Sequence, residues 1–154
     1  MGQQQLLLLV LGIVIVGIAI VVGINAYSEN NIKTNWDALL QDALRVASDA
    51  QAWKGKPELF GGSPDATKAT AADYSAVTSL TVLGYPAEPY VSLNGSITVA
   101  GAAGGLTITA NNIAPLGNNV VLLVTGIREA DVCMVSALRD NIDPGLTYCA
   151  AATP

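Results

Sequence analysis

Residues 6–24 form an unbroken apolar run, LLLLVLGIVIVGIAIVVGI, and no other feature limits the fold of this chain as strongly. As an α-helix rising 1.5 Å per residue the run is roughly 28 Å long, about one bilayer hydrocarbon thickness. It is apolar on every face, so it belongs in a membrane or in a fully buried bundle. No charged side chain precedes Glu29. A cleaved secretory signal fits poorly: there is no basic segment before the run, the run is too long for a signal core, and no small-x-small site follows cleanly. Gly12, Gly17 and Gly23 interrupt the run. In a simple anchor they are neutral, whereas in a packed bundle they let backbones approach closely. Each lowers helix propensity by ~1 kcal/mol relative to Ala, which marks the stretch for bending or local unwinding.

The next segment reads as an amphipathic helix over 34–53. Trp36, Leu39, Leu40, Ala43, Leu44, Ala47 and Ala50 recur at steps of three and four, while Asp37, Asp42, Arg45, Ser48 and Asp49 lie on other faces. Asn25, Ser28, Asn30 and Asn31 are poor helix formers but not breakers, so one helix from near residue 3 to near residue 53 is expected. Gly55 and Pro57 end it. Residues 61–79, rich in small and hydroxyl side chains, read as an exposed loop within a connection over 55–90. Beyond it the pattern turns to β. Residues 96–100, 106–110, 120–125 and 132–137 alternate or are β-branched, with hairpin signals at Asn94-Gly95 and Gly104-Gly105 and a weaker turn signal at Asn118-Asn119. Four hairpin-linked strands predict an antiparallel sheet over 91–154, one face of it covered by the amphipathic half of the helix. The expected class is α+β.

Composition narrows function. Only 12% of residues are charged, against a usual ~25%, so part of the surface sits in lipid or is covered by something else. The net charge is −5, and Lys33, Arg45, Lys54, Lys56, Lys68, Arg128 and Arg139 are scattered, which argues against nucleic acid as the main partner. There is no His, no Gly-rich phosphate loop precedes a helix, and no activating base is signalled for a serine. The reading is therefore non-enzymatic and free of cofactors. Asp131, Asp140 and Asp143 offer oxygen ligands for Ca²⁺, although Asp143 before Pro144 is more simply a turn residue. Cys133 and Cys149 flank a turn-rich segment in a chain with a membrane-targeting N-terminus, which favours a disulfide over two buried free thiols. Asn94-Gly95-Ser96 fits a glycosylation sequon and, more strongly, an Asn-Gly turn. The hydroxyls of residues 63–79 are candidate O-glycan carriers. Trp36 and Trp53 read as core or interface anchors.

An apolar helix, an amphipathic continuation, a variable loop, an antiparallel sheet and a C-terminal cysteine pair, taken together, resemble bacterial type IV pilins along the whole chain. The most specific part is MGQQQLLLLVLGIVIVGIAIVVGINAY. Met1 matches the first position of a mature pilin, Gln5 the fifth, and Tyr27 the aromatic near the end of the apolar helix. Three departures stand out: Gln5 replaces the usual Glu, Val22 and Gly23 stand where a Pro is usual, and the residues before Leu6 are Gln rather than apolar. Met1 is the expected mature N-terminus, with cleavage after Gly2 as the alternative register.

The resemblance implies a mechanism. A prepilin peptidase in the inner membrane clips and usually methylates the subunit, and an ATP-driven machine then draws subunits from the membrane into an extracellular helical filament. Residues 1–27 become the filament core and residues 28–154 the outer head. Met1, Gln5, Leu6, Gly12, Gly17, Gly23 and Tyr27 are the assembly residues implied. The pilin fifth-position Glu is thought to meet a neighbour's N-terminal amine. Gln5 cannot form that ion pair, but its amide can accept from an ammonium and donate to a carbonyl. A secretion-system pseudopilin is a variant of this reading. A monomeric membrane-anchored binding domain is the rival from another class.

Overall fold

The computed structural model describes residues 2–68, 70–112 and 117–139. One helix, α1 (Gly2–Gly55), carries both the apolar run and the amphipathic stretch. The asparagines and serine between them cost only tenths of a kcal/mol each in helix propensity, too little to break it. By its contacts the chain divides into two units, Met1–Thr34 and Asn35–Pro154. In the first, residues 2–31 are exposed on every face of the helix.

The second unit encloses a core of its own. Residues 35–55 of α1 bury Leu39, Ala43, Val46, Ala47, Ala50, Trp53 and Lys54. These positions recur at helical spacing, so they form one stripe. The stripe is rotated slightly from the sequence expectation: Leu44 is exposed, and Val46 takes a core place. A five-stranded antiparallel meander follows: β1 (Tyr90–Val91), β2 (Ser96–Ala102), β3 (Gly105–Asn111), β4 (Asn119–Val124) and β5 (Val132–Leu138), in that spatial order. The four strands expected from sequence are all present, and β1 is added at the edge. Alternation puts Ile97, Val99, Leu106, Ile108, Ala110, Val120, Leu122 and Val124 in one core with the helix stripe. Ser96, Thr98, Thr107, Thr109 and Asn111 alternate with them, on the opposite face.

The connection between helix and sheet is more structured than an exposed loop. It holds a 3-10 turn (Glu58–Phe60), a short helix α2 (Asp65–Lys68) and a second 3-10 turn (Leu80–Leu83). Ser63, Tyr74, Val77 and Leu80 are fully buried. The segment also completes the edge of β2, which β1 pairs only at residues 96 and 97. Farther along, the Val99 amide donates to the Glu88 carboxylate at 3.1 Å, the Gly101 amide to the Val77 carbonyl at 3.1 Å, and the Tyr74 amide to the Ala102 carbonyl at 2.9 Å. An open strand edge is thereby closed by its own chain. Gly101 is a condition of this closure: a Cβ there would lie 2.0 Å from the Tyr74 carbonyl oxygen.

Candidate functional site

The surface that most needs an explanation is the first unit. Between Leu6 and Ile24, fifteen Leu, Ile and Val side chains are each more than half exposed. Fully burying one such side chain is worth ~1.5–3 kcal/mol. Left in water the set would forfeit on the order of tens of kcal/mol, more than the ~5–15 kcal/mol that stabilises a whole domain. α1 is the one helix among the described residues that is long and apolar enough to cross a membrane.

The assembly residues expected from sequence all lie on this helix, apart from Met1, which is outside the described residues. Gln5, Leu6, Gly12, Gly17, Gly23 and Tyr27 are exposed. At 100° per residue Gly12 and Gly23 fall within about 20° of each other, three turns apart, while Gly17 lies on another side. A Cβ at any of the three would meet nothing within 4 Å, so packing within this chain does not require them. Gln3, Leu6, Leu7, Val10, Leu11 and Val14 line a shallow apolar surface along one helix face.

In the second unit, side-chain hydrogen bonds tie the helix to the sheet at both ends. Asn35 is the upper hub. Its Oδ1 accepts from Asn112 Nδ2 at 2.8 Å and Asn118 Nδ2 at 2.9 Å, and its Nδ2 donates to the Asn94 carbonyl at 3.1 Å. Two turns on, Asp42 Oδ2 accepts from Asn94 Nδ2 at 2.9 Å and Ser92 Oγ at 3.0 Å. Asn94 therefore serves the turn, and a glycan on its Nδ2 would have to displace Asp42. At the other end Gln51 Nε2 donates to the Gly126 and Arg128 carbonyls, and the Tyr74 hydroxyl donates to Gly126 at 2.9 Å.

Lys54 is buried beside the end of α1. Its Nζ donates to the Thr67 carbonyl at 2.7 Å and to the Asp73 carbonyl, and it lies 5.1 Å from the centre of the Tyr74 ring. Burial pushes its pKa down, against the opposing attraction of Asp73. Burial pushes the Tyr74 hydroxyl up to about 12, with Asp131 adding to the effect. The Tyr85 hydroxyl donates to Asp49 Oδ2 at 2.6 Å and is also raised, chiefly by burial and then by that carboxylate. No motif in the sequence marks these three groups as structural ties. The clearest available signal was Tyr74 itself, the one aromatic residue in a segment of small and polar side chains.

The remaining expected sites divide simply. Cys133 lies in β5, paired across from Leu123 in β4, while Cys149 is outside the described residues. Asp140 and Asp143 are likewise outside them. Asp131 Oδ2 accepts from the Arg128 amide at 2.9 Å, so this carboxylate shapes the turn before β5.

Comparison with protein-family models, with curated proteins and with solved structures gave no match. The architecture, an apolar N-terminal helix continuing into a helix packed on an antiparallel sheet, is pilin-like.

Proposed function

We propose that this chain is the major structural subunit of a type IV pilus-like filament, without catalytic activity or cofactor. The observation that carries the reading is the apolar helix exposed on every face and joined to a domain that closes its own core. Residues 6–24 need an apolar environment that nothing else among the described residues provides. A membrane supplies it before assembly, and a bundle of identical helices supplies it afterwards. Moving from one to the other exchanges apolar solvents, so little hydrophobic energy is lost in extraction. Gly12 and Gly23, unneeded within one chain, then serve close contact between neighbours.

On this reading the subunit waits in the inner membrane, pilus machinery assembles it, and the filament stands outside the cell with the head as its surface. Gln5 and its neighbours Gln3 and Gln4 supply hydrogen bonds among helix ends in a region otherwise apolar. A disulfide between Cys133 and Cys149 closes the C-terminal segment, adding about 3 kcal/mol in the chain-entropy account. Electron microscopy of sheared surface material, with mass spectrometry of any filaments, tests the proposal. Filaments built of this chain are expected. Recovery of the chain only as membrane-extracted monomers would favour an anchored binding domain.

A further inference from the structure

We propose that a groove on the head binds acidic oligosaccharides. It lies between α1 and residues 82–90, wholly within the second unit, and encloses about 630 Å³. That volume falls in the range of about 300–1,000 Å³ common to small-molecule sites. Arg45, Asp49 and Ala52 follow one another at steps of four and three, so they share one face of α1, and Lys56 comes just after its last turn. Tyr85 and Tyr90 form the facing wall, their ring centres 5.0 Å apart and their planes inclined at 63°. The hydrogen bond from Tyr85 to Asp49 fixes one ring and the central carboxylate relative to each other.

Arg45 and Lys56 are exposed and form no ion pair among the described residues. Both cations line the same groove as the two tyrosine rings. That combination fits a definite chemistry. A pyranose ring has an apolar C–H face, which packs on tyrosine rings, and an edge of hydroxyls, which needs both acceptors and donors. Asp49 accepts, and Arg45 donates through a planar fork. Uronate carboxylates spaced along a sugar chain would meet Arg45 and Lys56 through charge-assisted hydrogen bonds. Asp49, standing between the cations, sets the charge density of the ligand. Single-stranded nucleic acid also suits aromatic and cationic walls, but it carries a phosphate on every nucleotide and would be repelled there. A neutral sugar would leave both cations unused.

The test uses the full chain in detergent micelles, where the result does not depend on filament assembly. Calorimetric titration with a hyaluronan tetrasaccharide, which carries a carboxylate only on alternate sugars, is compared with maltotetraose and with oligothymidylate. The uronate is expected to bind and the other two to bind more weakly. Arg45→Gln and Lys56→Gln should each weaken uronate binding about tenfold, the worth of one charge-assisted hydrogen bond. Both positions are exposed, and unchanged melting of each variant shows that the head is intact. Tyr90→Ala should weaken uronate and maltotetraose alike. Absence of uronate binding, equal uronate affinity in both glutamine variants and the native chain, or tighter binding of oligothymidylate would each overturn the proposal.

Discussion

The first unit and the second contain comparable apolar sequence but dispose of it in opposite ways. Leu39, Val46 and Ala50 in the second unit are buried against strands β2 to β4. Leu6 through Ile24 in the first are exposed all round. The polar groups differ in parallel: Asn35, Asp42, Gln51 and Lys54 all reach carbonyl or side-chain partners in the head. A region that buries its own apolar groups can stand alone, while a region that leaves them exposed must be completed by its surroundings. The difference assigns stability to residues 35–139 and the need for an outside apolar environment to residues 2–31, so changes in the two should have separable effects.

The largest expected separation comes from cutting between them. A fragment beginning at Ser28 should be soluble and melt cooperatively, whereas the full chain should need detergent or lipid. Aggregation of the fragment, or a gradual melt, would break the comparison by making the head depend on the apolar helix. Within the head, Tyr74→Ala should cost about 3–5 kcal/mol, the usual penalty for removing a buried aromatic ring. Denaturant unfolding of the fragment measures it, and membrane insertion of the full chain should not change. Ile15→Asp should do the reverse. Its apparent insertion cost is about 2.5–3.5 kcal/mol at the centre of a spanning helix, with the melting of the head untouched. Gln5→Leu should likewise leave the head folded while lowering filament yield, and a normal yield would show that the fifth position sets nothing in assembly.

A smaller effect sharpens the account of the head. The Tyr74 hydroxyl is raised to about 12 from an ordinary value of 10. A phenol harder to ionise when folded lends stability that is complete below pH 10 and drains away as pH rises through 12. The loss is on the order of 3 kcal/mol. Tyr85 contributes in the same direction. The depressed pKa of Lys54 works the other way: its burial cost is greatest while both states are charged and eases as pH climbs toward 10.5. Melting of the Ser28 fragment should therefore decline across pH 10–12. Tyr74→Phe should flatten part of that decline, at a cost near neutrality of about 1 kcal/mol for the lost bond to Gly126.

Much of this was legible in the sequence because periodicity reports local burial. The apolar run, the helix stop at Gly55 and four strands follow from spacing and turn residues alone. The rest depends on long-range placement. Tyr74 and Val77 sit among small, hydroxylated residues that read as a loop, and only the open edge of β2 explains why they are buried. Leu44 fits the stripe by spacing but falls outside the sheet's footprint, and Val46 fits inside it. Glu88 carries no motif, and its role is visible only once the amides of Leu80 and Val99 converge on its carboxylate. For the proposed association surface, the sequence shows an apolar helix with three glycines but not which face would meet a neighbour.

The central claim is that residues 6–24 are completed by copies of themselves. A helical reconstruction of filaments sheared from cells tests it most directly. The account predicts α1 at the filament axis, residues 6–24 packed against the same residues of neighbouring subunits, and the β-sheet outside. A map with the apolar helix facing solvent, or with the heads meeting at the axis, would contradict it.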